Sequence, residues 1–188
     1  MKLFLILSCL LCSGVLRAQE TSEYVFLGAI HGATLSPATP NNGILPPPTL
    51  SLTEIPTTNS YLAGLGFQRD IIPNFDHFAL GIDLGSILPG QGKVIDNAVG
   101  TFSPDAYFHW AFFNSALEPY FMGGYSLLFQ TSTANYYNLG FGVRYWTGLN
   151  QTFGFMAEGR HFSHINNSTL FNNQNFWEIR FGVTFRQK

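Results

Sequence analysis

At 188 residues the chain is the size of one domain, and its composition is directed: 16% aromatic residues, 19 glycines and only 11% charged residues. A soluble domain of ordinary composition carries about 25% charge, so the sequence predicts that something other than water faces much of the exterior. A formal net charge of −2 offers no basic stripe to neutralise phosphates, which excludes nucleic acid as a partner.

The chain opens with Lys2, an apolar run from Leu3 to Leu11 and a small-residue exit from Gly14 to Ala18. This order of charge, apolar core and small residues is that of a cleaved secretory signal peptide, predicted over 1–18 and leaving 19–188 as the mature domain. Both cysteines, Cys9 and Cys12, fall inside the signal, so no disulfide framework is expected in the mature chain. No later run approaches the ~20 apolar residues that a membrane helix needs.

After the signal come segments near ten residues long with period-two alternation, the signature of membrane-crossing strands. In chain order the pattern predicts strands from Glu23 to Gly32, Ser60 to Asp70, His77 to Ser86 and Pro104 to Phe113, then from Pro119 to Gln130, Tyr136 to Thr147, Thr152 to Ser163 and Asn175 to Arg186. Short connections at 71–76, 114–118 and 148–151 alternate with longer ones, of which 33–59, rich in Pro, Thr and Asn, is the largest. Short periplasmic turns alternating with longer extracellular loops are the rule in outer-membrane barrels. The predicted fold is therefore all-β, a single eight-stranded antiparallel transmembrane β-barrel.

Within a strand, side chains alternate between the two faces. In the sixth strand Tyr137, Leu139, Phe141, Val143 and Tyr145 share one face, and Asn138, Gly140, Gly142 and Arg144 the other. In the eighth, Trp177, Ile179, Phe181, Val183 and Phe185 oppose Glu178, Arg180, Gly182, Thr184 and Arg186. The apolar face suits hydrocarbon. By parity Asp83, Glu158 and Glu178 point inward with Arg144, Arg160 and Arg180, and buried charge is tolerable only when paired. This predicts an interior ion-pair plug in place of an aqueous channel, in a barrel too narrow for a wide lumen. A lipocalin-type soluble barrel also alternates, but it would set the charges outside, and their number is too small for a wet exterior.

The runs Leu117-Glu118-Pro119-Tyr120-Phe121-Met122-Gly123-Gly124, Leu139-Gly140-Phe141-Gly142-Val143-Arg144-Tyr145, Glu158-Gly159-Arg160-His161-Phe162 and Phe181-Gly182-Val183-Thr184-Phe185 resemble the small OmpA/OmpX-type outer-membrane β-barrel family over 19–188. The resemblance implies location in the bacterial outer membrane, outer-membrane lipids including lipopolysaccharide as surroundings, and the barrel assembly machinery as a partner during biogenesis. The family's terminal aromatic assists that machinery, and here Arg186-Gln187-Lys188 follow Phe185. Membership implies no chemistry, since the family holds adhesive and purely structural barrels, so a structural or surface-interaction role is expected. A surface partner would engage the loop 33–59, and the barrel is expected to be a monomer.

One constellation points to catalysis. His161-Phe162-Ser163 at the tip of the seventh strand, with Asn175 one loop later, is similar to the lipid A 3-O-deacylase barrels. There a His-x-Ser pair on the outer wall works with a carboxylate, for which this chain has Asn175. A serine hydrolase needs an imidazole base and a third group to orient it, giving Ser163, His161 and Asn175 those roles. A shifted register pairs His164 with Glu178 but sets Asn166 in the nucleophile's place. The competing reading makes His161 and Ser163 interfacial residues of an aromatic girdle. His31, His77 and His109 lie on separate strands without ligand spacing, so neither a metal site nor a cofactor is expected.

Overall fold

The computed structural model describes residues 20–31, 60–72, 77–88, 98–110, 116–130, 133–148, 150–165 and 175–187. The predicted signal segment 1–18 and the loop 33–59 lie outside the described residues. Eight strands follow in order: β1 (Thr21–His31), β2 (Ser60–Asp70), β3 (Phe78–Leu88), β4 (Val99–His109), β5 (Leu117–Phe129), β6 (Thr133–Thr147), β7 (Phe153–His164) and β8 (Phe176–Gln187). Each pairs antiparallel with its neighbours, and β1 pairs with β8 to close the barrel. Closure leaves no edge strand, so the backbone groups of the wall are satisfied within it, as a structure in hydrocarbon requires.

Seven strands lie within a few residues of their predicted positions, and β4 requires a correction. The pattern places it from Pro104 to Phe113, and proline is usually confined to the first residue of a strand, to edges or to bulges. The observed strand begins at Val99 and ends at His109, so Pro104 sits inside it, paired with Ile82 of β3 and exposed on the outer face. On the other side the ladder to β5 passes from Phe102↔Leu127 to Asp105↔Gly124 without pairing Ser103 or Pro104. A residue that has no N–H is accommodated where the ladder is interrupted. β5 starts at Leu117, before the expected Pro119, which brings Glu118, assigned to a turn by the sequence, into the strand and the interior.

The start of β1 and the end of β8 pair at one rim, called here the terminal end, where β2 joins β3, β4 joins β5 and β6 joins β7. In the last of these Gly148 has φ 74°, a left-handed conformation that glycine adopts without penalty. The opposite rim, the loop end, carries the connections 32–59, 89–98, 130–132 and 165–175. Outward residues form an apolar wall, with Leu139 71%, Leu27 68% and Phe181 64% exposed.

Two inward glycines make room for aromatic rings. Gly66, paired with Tyr24, and Gly142, paired with Tyr120, each lie under the partner's ring, which a Cβ would overlap. Both tyrosines are thereby laid across the lumen, where their hydroxyls reach carboxylates on other strands.

Candidate functional site

The lumen is filled, in three layers. The middle layer is ionic. Arg160, fully buried, donates to Asp83 (2.6 Å), to Asp105 (2.7 Å) and to Glu158. Arg180 donates to Asp83 (2.6 Å) and Glu178 (2.5 Å) and stands 3.2 Å from Glu158. Hydroxyls complete the carboxylates' acceptor capacity: Tyr120 donates to Glu158 at 2.7 Å, and Tyr24 donates to Asp83 and lies 2.9 Å from the Tyr107 hydroxyl. Asn138 donates to Asp105 (2.9 Å) and to Ser126 (2.6 Å). The charge-assisted bonds link β3, β4, β7 and β8 across the barrel axis, so this layer ties opposite walls together.

Nearer the terminal end lies a second polar layer centred on Glu118. Its carboxylate accepts from the Trp146 indole at 2.8 Å and from Arg186, and lies 2.7 Å from His109 Nδ1. Arg186 also lies over the Trp146 ring, 3.8 Å from its centre, and 2.9 Å from Glu20. Arg144 belongs here: it donates to Gln68, stands 3.9 Å from Glu118 and lies over the Tyr120 ring at 5.0 Å. Of the six residues expected to pair inside, the structure thus joins Asp83, Glu158, Arg160, Glu178 and Arg180 in one cluster and puts Arg144 in the adjoining layer.

The third layer, toward the loop end, is apolar. Phe26, Ile30, Leu62, Ile87, Val99, Leu128, Tyr136, Phe162 and Phe176 are buried together, with Phe162 stacked on Phe176 at 4.5 Å. The sequence reading expected an ion-pair plug and assigned no apolar layer beside it.

The outer-wall constellation is partly assembled. His161 and Ser163 face outward on β7, with the Ser163 hydroxyl 3.3 Å from His161 Nδ1. The His161 ring packs on Trp177 of β8 with centres 4.7 Å apart. Asn175 does not take the orienting position: its side-chain oxygen accepts from the His164 backbone amide at 2.9 Å. The shifted register is not assembled either, because Glu178 is buried in the lumen on Arg180 while the His164 ring stands edge-on to Tyr136. Asn166 lies outside the described residues.

The remaining histidines are dispersed. His31 is exposed at the loop end of β1 and His109 is inside the barrel, while the His77 ring reaches the His109 carbonyl at 3.0 Å. Among the described residues no cluster of side chains has metal-ligand geometry.

Closure, an apolar outer wall and a lumen packed with paired charge define a small eight-stranded barrel of the outer-membrane type. Solved structures agree on that fold. Neisserial surface protein A superposes with a TM-score of 0.58 at 12% identity, covering 89% of this chain and 96% of that one. The N-terminal β-barrel domain of Pseudomonas aeruginosa OprF gives 0.53 at 15% identity, covering 88% and 97%. Ail, the attachment invasion locus protein of Yersinia pestis, solved with the heparin analogue sucrose octasulfate, gives 0.51 at 11%, covering 91% and 100%. No family model matches the chain, and no curated protein matches its sequence. The small OmpA/OmpX-type architecture expected from the sequence is therefore met at the level of fold.

Proposed function

We propose that the protein is an integral bacterial outer-membrane barrel with a structural or surface-interaction role, neither an enzyme nor a pore. On this reading it is exported by the segment 1–18, works as a monomer in the 19–188 domain, and meets any surface partner through the loop 33–59, since long polar loops on a rigid scaffold are free to vary and bind. The observation that carries the reading is Arg160, fully buried and bonded to carboxylates of β3, β4 and β7. A side chain braced in this way across a narrow barrel favours a plug over a conduit.

Reconstitution into planar bilayers tests it. The expected record shows no unitary current steps, and reproducible steps would overturn the non-pore reading. Fractionation of cells that express the chain should recover it with outer-membrane lipids. Deleting residues 37–56 should leave the barrel assembled while removing any surface binding that the full chain displays.

A second reading is favoured by one distance, the 3.3 Å between Ser163 and His161. It makes the protein an outer-wall acyl hydrolase acting on lipid A, with Ser163 as nucleophile and His161 as base. Against it stands the engagement of Asn175 with the His164 amide, which leaves the imidazole held by its tilted contact with the Trp177 ring. Mass spectrometry of lipid A from cells expressing the wild type and Ser163→Ala decides: a lost acyl chain that needs Ser163 establishes the hydrolase, and identical spectra end it.

A further inference from the structure

The backbone of the barrel wall is not bonded evenly. Seven of the eight strand-to-strand ladders run without a break among the described residues. The β4–β5 ladder is paired from Gly100↔Phe129 to Phe102↔Leu127 and again from Asp105↔Gly124 to His109↔Tyr120. Its register is the same on both sides of the gap, so Pro104 stands opposite Tyr125 and Ser103 opposite Ser126.

The direction of the missing bond follows from alternation. Just past β4 the Trp110 N–H donates to the Pro119 carbonyl at 2.8 Å, so every second residue back along β4, Pro104 included, turns its backbone groups toward β5. The ladder to β3 runs through Pro104 unbroken. Proline therefore removes one rung, the donor to the Tyr125 carbonyl, in a wall whose surroundings offer no other.

Side chains do little to close the gap. On the inner face the contact across it is a pair of hydroxyls, Ser103 and Ser126, 2.7 Å apart. On the outer face the Tyr125 hydroxyl donates to Asn135 of β6, which ties this ring to the neighbour on the far side. Behind the gap lies a small cavity, lined by Thr101 and Ser103 of β4 and Leu128 of β5, which gives the two strands room to move. The ends of the seam are clamped by comparison. At the loop end the Phe129 ring covers Gly100. At the terminal end Tyr120 packs on Tyr107 and His109, with ring centres 5.9 Å and 5.6 Å apart.

We infer that the wall carries a slot, Ser103–Pro104 against Tyr125–Ser126, which opens and closes between two clamped ends while the other seams stay shut. Local opening occurs where backbone hydrogen bonds are fewest and the contacts across them smallest, and Pro104 sets the place. The open slot joins the outer wall to the cavity at the boundary of the ionic and apolar layers, which Asp83, Glu178 and Arg180 also line.

Amide hydrogen exchange tests it, resolved residue by residue on the full chain folded in detergent micelles. The Tyr125 and Leu127 amides, which face β4, should exchange about tenfold faster than the Leu139 and Phe141 amides of the unbroken β6–β7 seam, the order of magnitude that loss of one backbone hydrogen bond gives. Phe121, at the clamped end of the same seam, should exchange as slowly as Leu139. Pro104→Val supplies the missing N–H on a side chain suited to the outer wall. It should slow Tyr125 and Leu127 to the level of Leu139, with the heat-dependent gel shift of the folded barrel unchanged. Equal exchange in the two seams of the wild type, or fast exchange that persists in Pro104→Val, would overturn the slot. Fast exchange reaching Phe121 would overturn it too, since the whole seam would then fray. The comparison of seams within the wild type needs no variant and decides the matter if Pro104→Val does not assemble.

Discussion

The two ends of the lumen are built on opposite principles. The middle and terminal layers are charged: Arg160, Arg180, Arg144 and Arg186 thread between carboxylates, and each contact has a direction and a partner. The loop-end layer is apolar, with Phe162, Phe176 and Leu128 packed as in a soluble core. The difference teaches that a barrel this narrow closes itself twice in series. The charged layers fix which strand stands opposite which, since an arginine satisfied by three carboxylates has few alternative positions. The apolar layer is less particular and excludes water by dispersion and fit.

The comparison breaks first where a charge loses its partner. Arg160→Leu would take the arginine from Asp105 in a dry interior and leave Asp83 and Glu158 to Arg180. Removing one partner of a buried ion pair costs about 3–5 kcal/mol. Urea unfolding of protein folded into vesicles should show a sharply lowered midpoint, or failure to assemble; a midpoint near the wild type's would mean that water or a counter-ion already serves these carboxylates. Phe162→Ala tests the other end. Truncating a buried phenylalanine costs about 3 kcal/mol or somewhat more, and the variant should stay non-conducting in planar bilayers because the ionic layer still closes the path. Current through Phe162→Ala would show that the apolar layer is the true seal.

A finer test lies at the boundary of the ionic layer. Tyr24→Phe keeps the ring under which Gly66 makes room and deletes the hydroxyl that serves Asp83 and Tyr107. The expected loss is about 1–3 kcal/mol, the cost of leaving a buried charged acceptor one donor short. It should appear in the same unfolding assay, and an unchanged midpoint would mean that the arginines alone satisfy Asp83.

The two regions also differed in how legible they were. Asp83, Arg144, Glu158, Arg160, Glu178 and Arg180 stood out because each is a charge at alternate positions among outward Phe, Leu, Ile or Val, so period two set both strand and face. At the loop end the alternation vanishes. In Leu127-Leu128-Phe129 and Ile87-Leu88 the inward and outward residues are equally apolar, and no pattern in one strand reveals that Leu128 and Ile87 are core. Asp105 and Glu118 were missed for local reasons: Asp105 stood near the start of a strand expected at Pro104 to Phe113, where few alternations preceded it, and the fifth strand was expected to start at Pro119, which left Glu118 in the turn. Asn175 was legible as a position one loop from His161 but not as a contact, because its backbone partner at His164 depends on how β7 and β8 meet.

The smallest effect is expected outside the barrel, and it is the one that separates wall from lumen. Leu139 is as apolar as Leu128 and lies in an adjacent strand, yet it is 71% exposed where Leu128 is 1% exposed. If the exterior faces hydrocarbon, lipid closes over the smaller side chain of Leu139→Ala and leaves no cavity, so stability should fall by the transfer term alone, about 1–2 kcal/mol. Leu128→Ala, which opens a cavity that nothing else fills, should cost about 2–5 kcal/mol. A Leu139→Ala loss at the upper end of that range would carry a cavity term and mean that the outer face is covered by protein, whereas a loss near zero would mean that the face meets water.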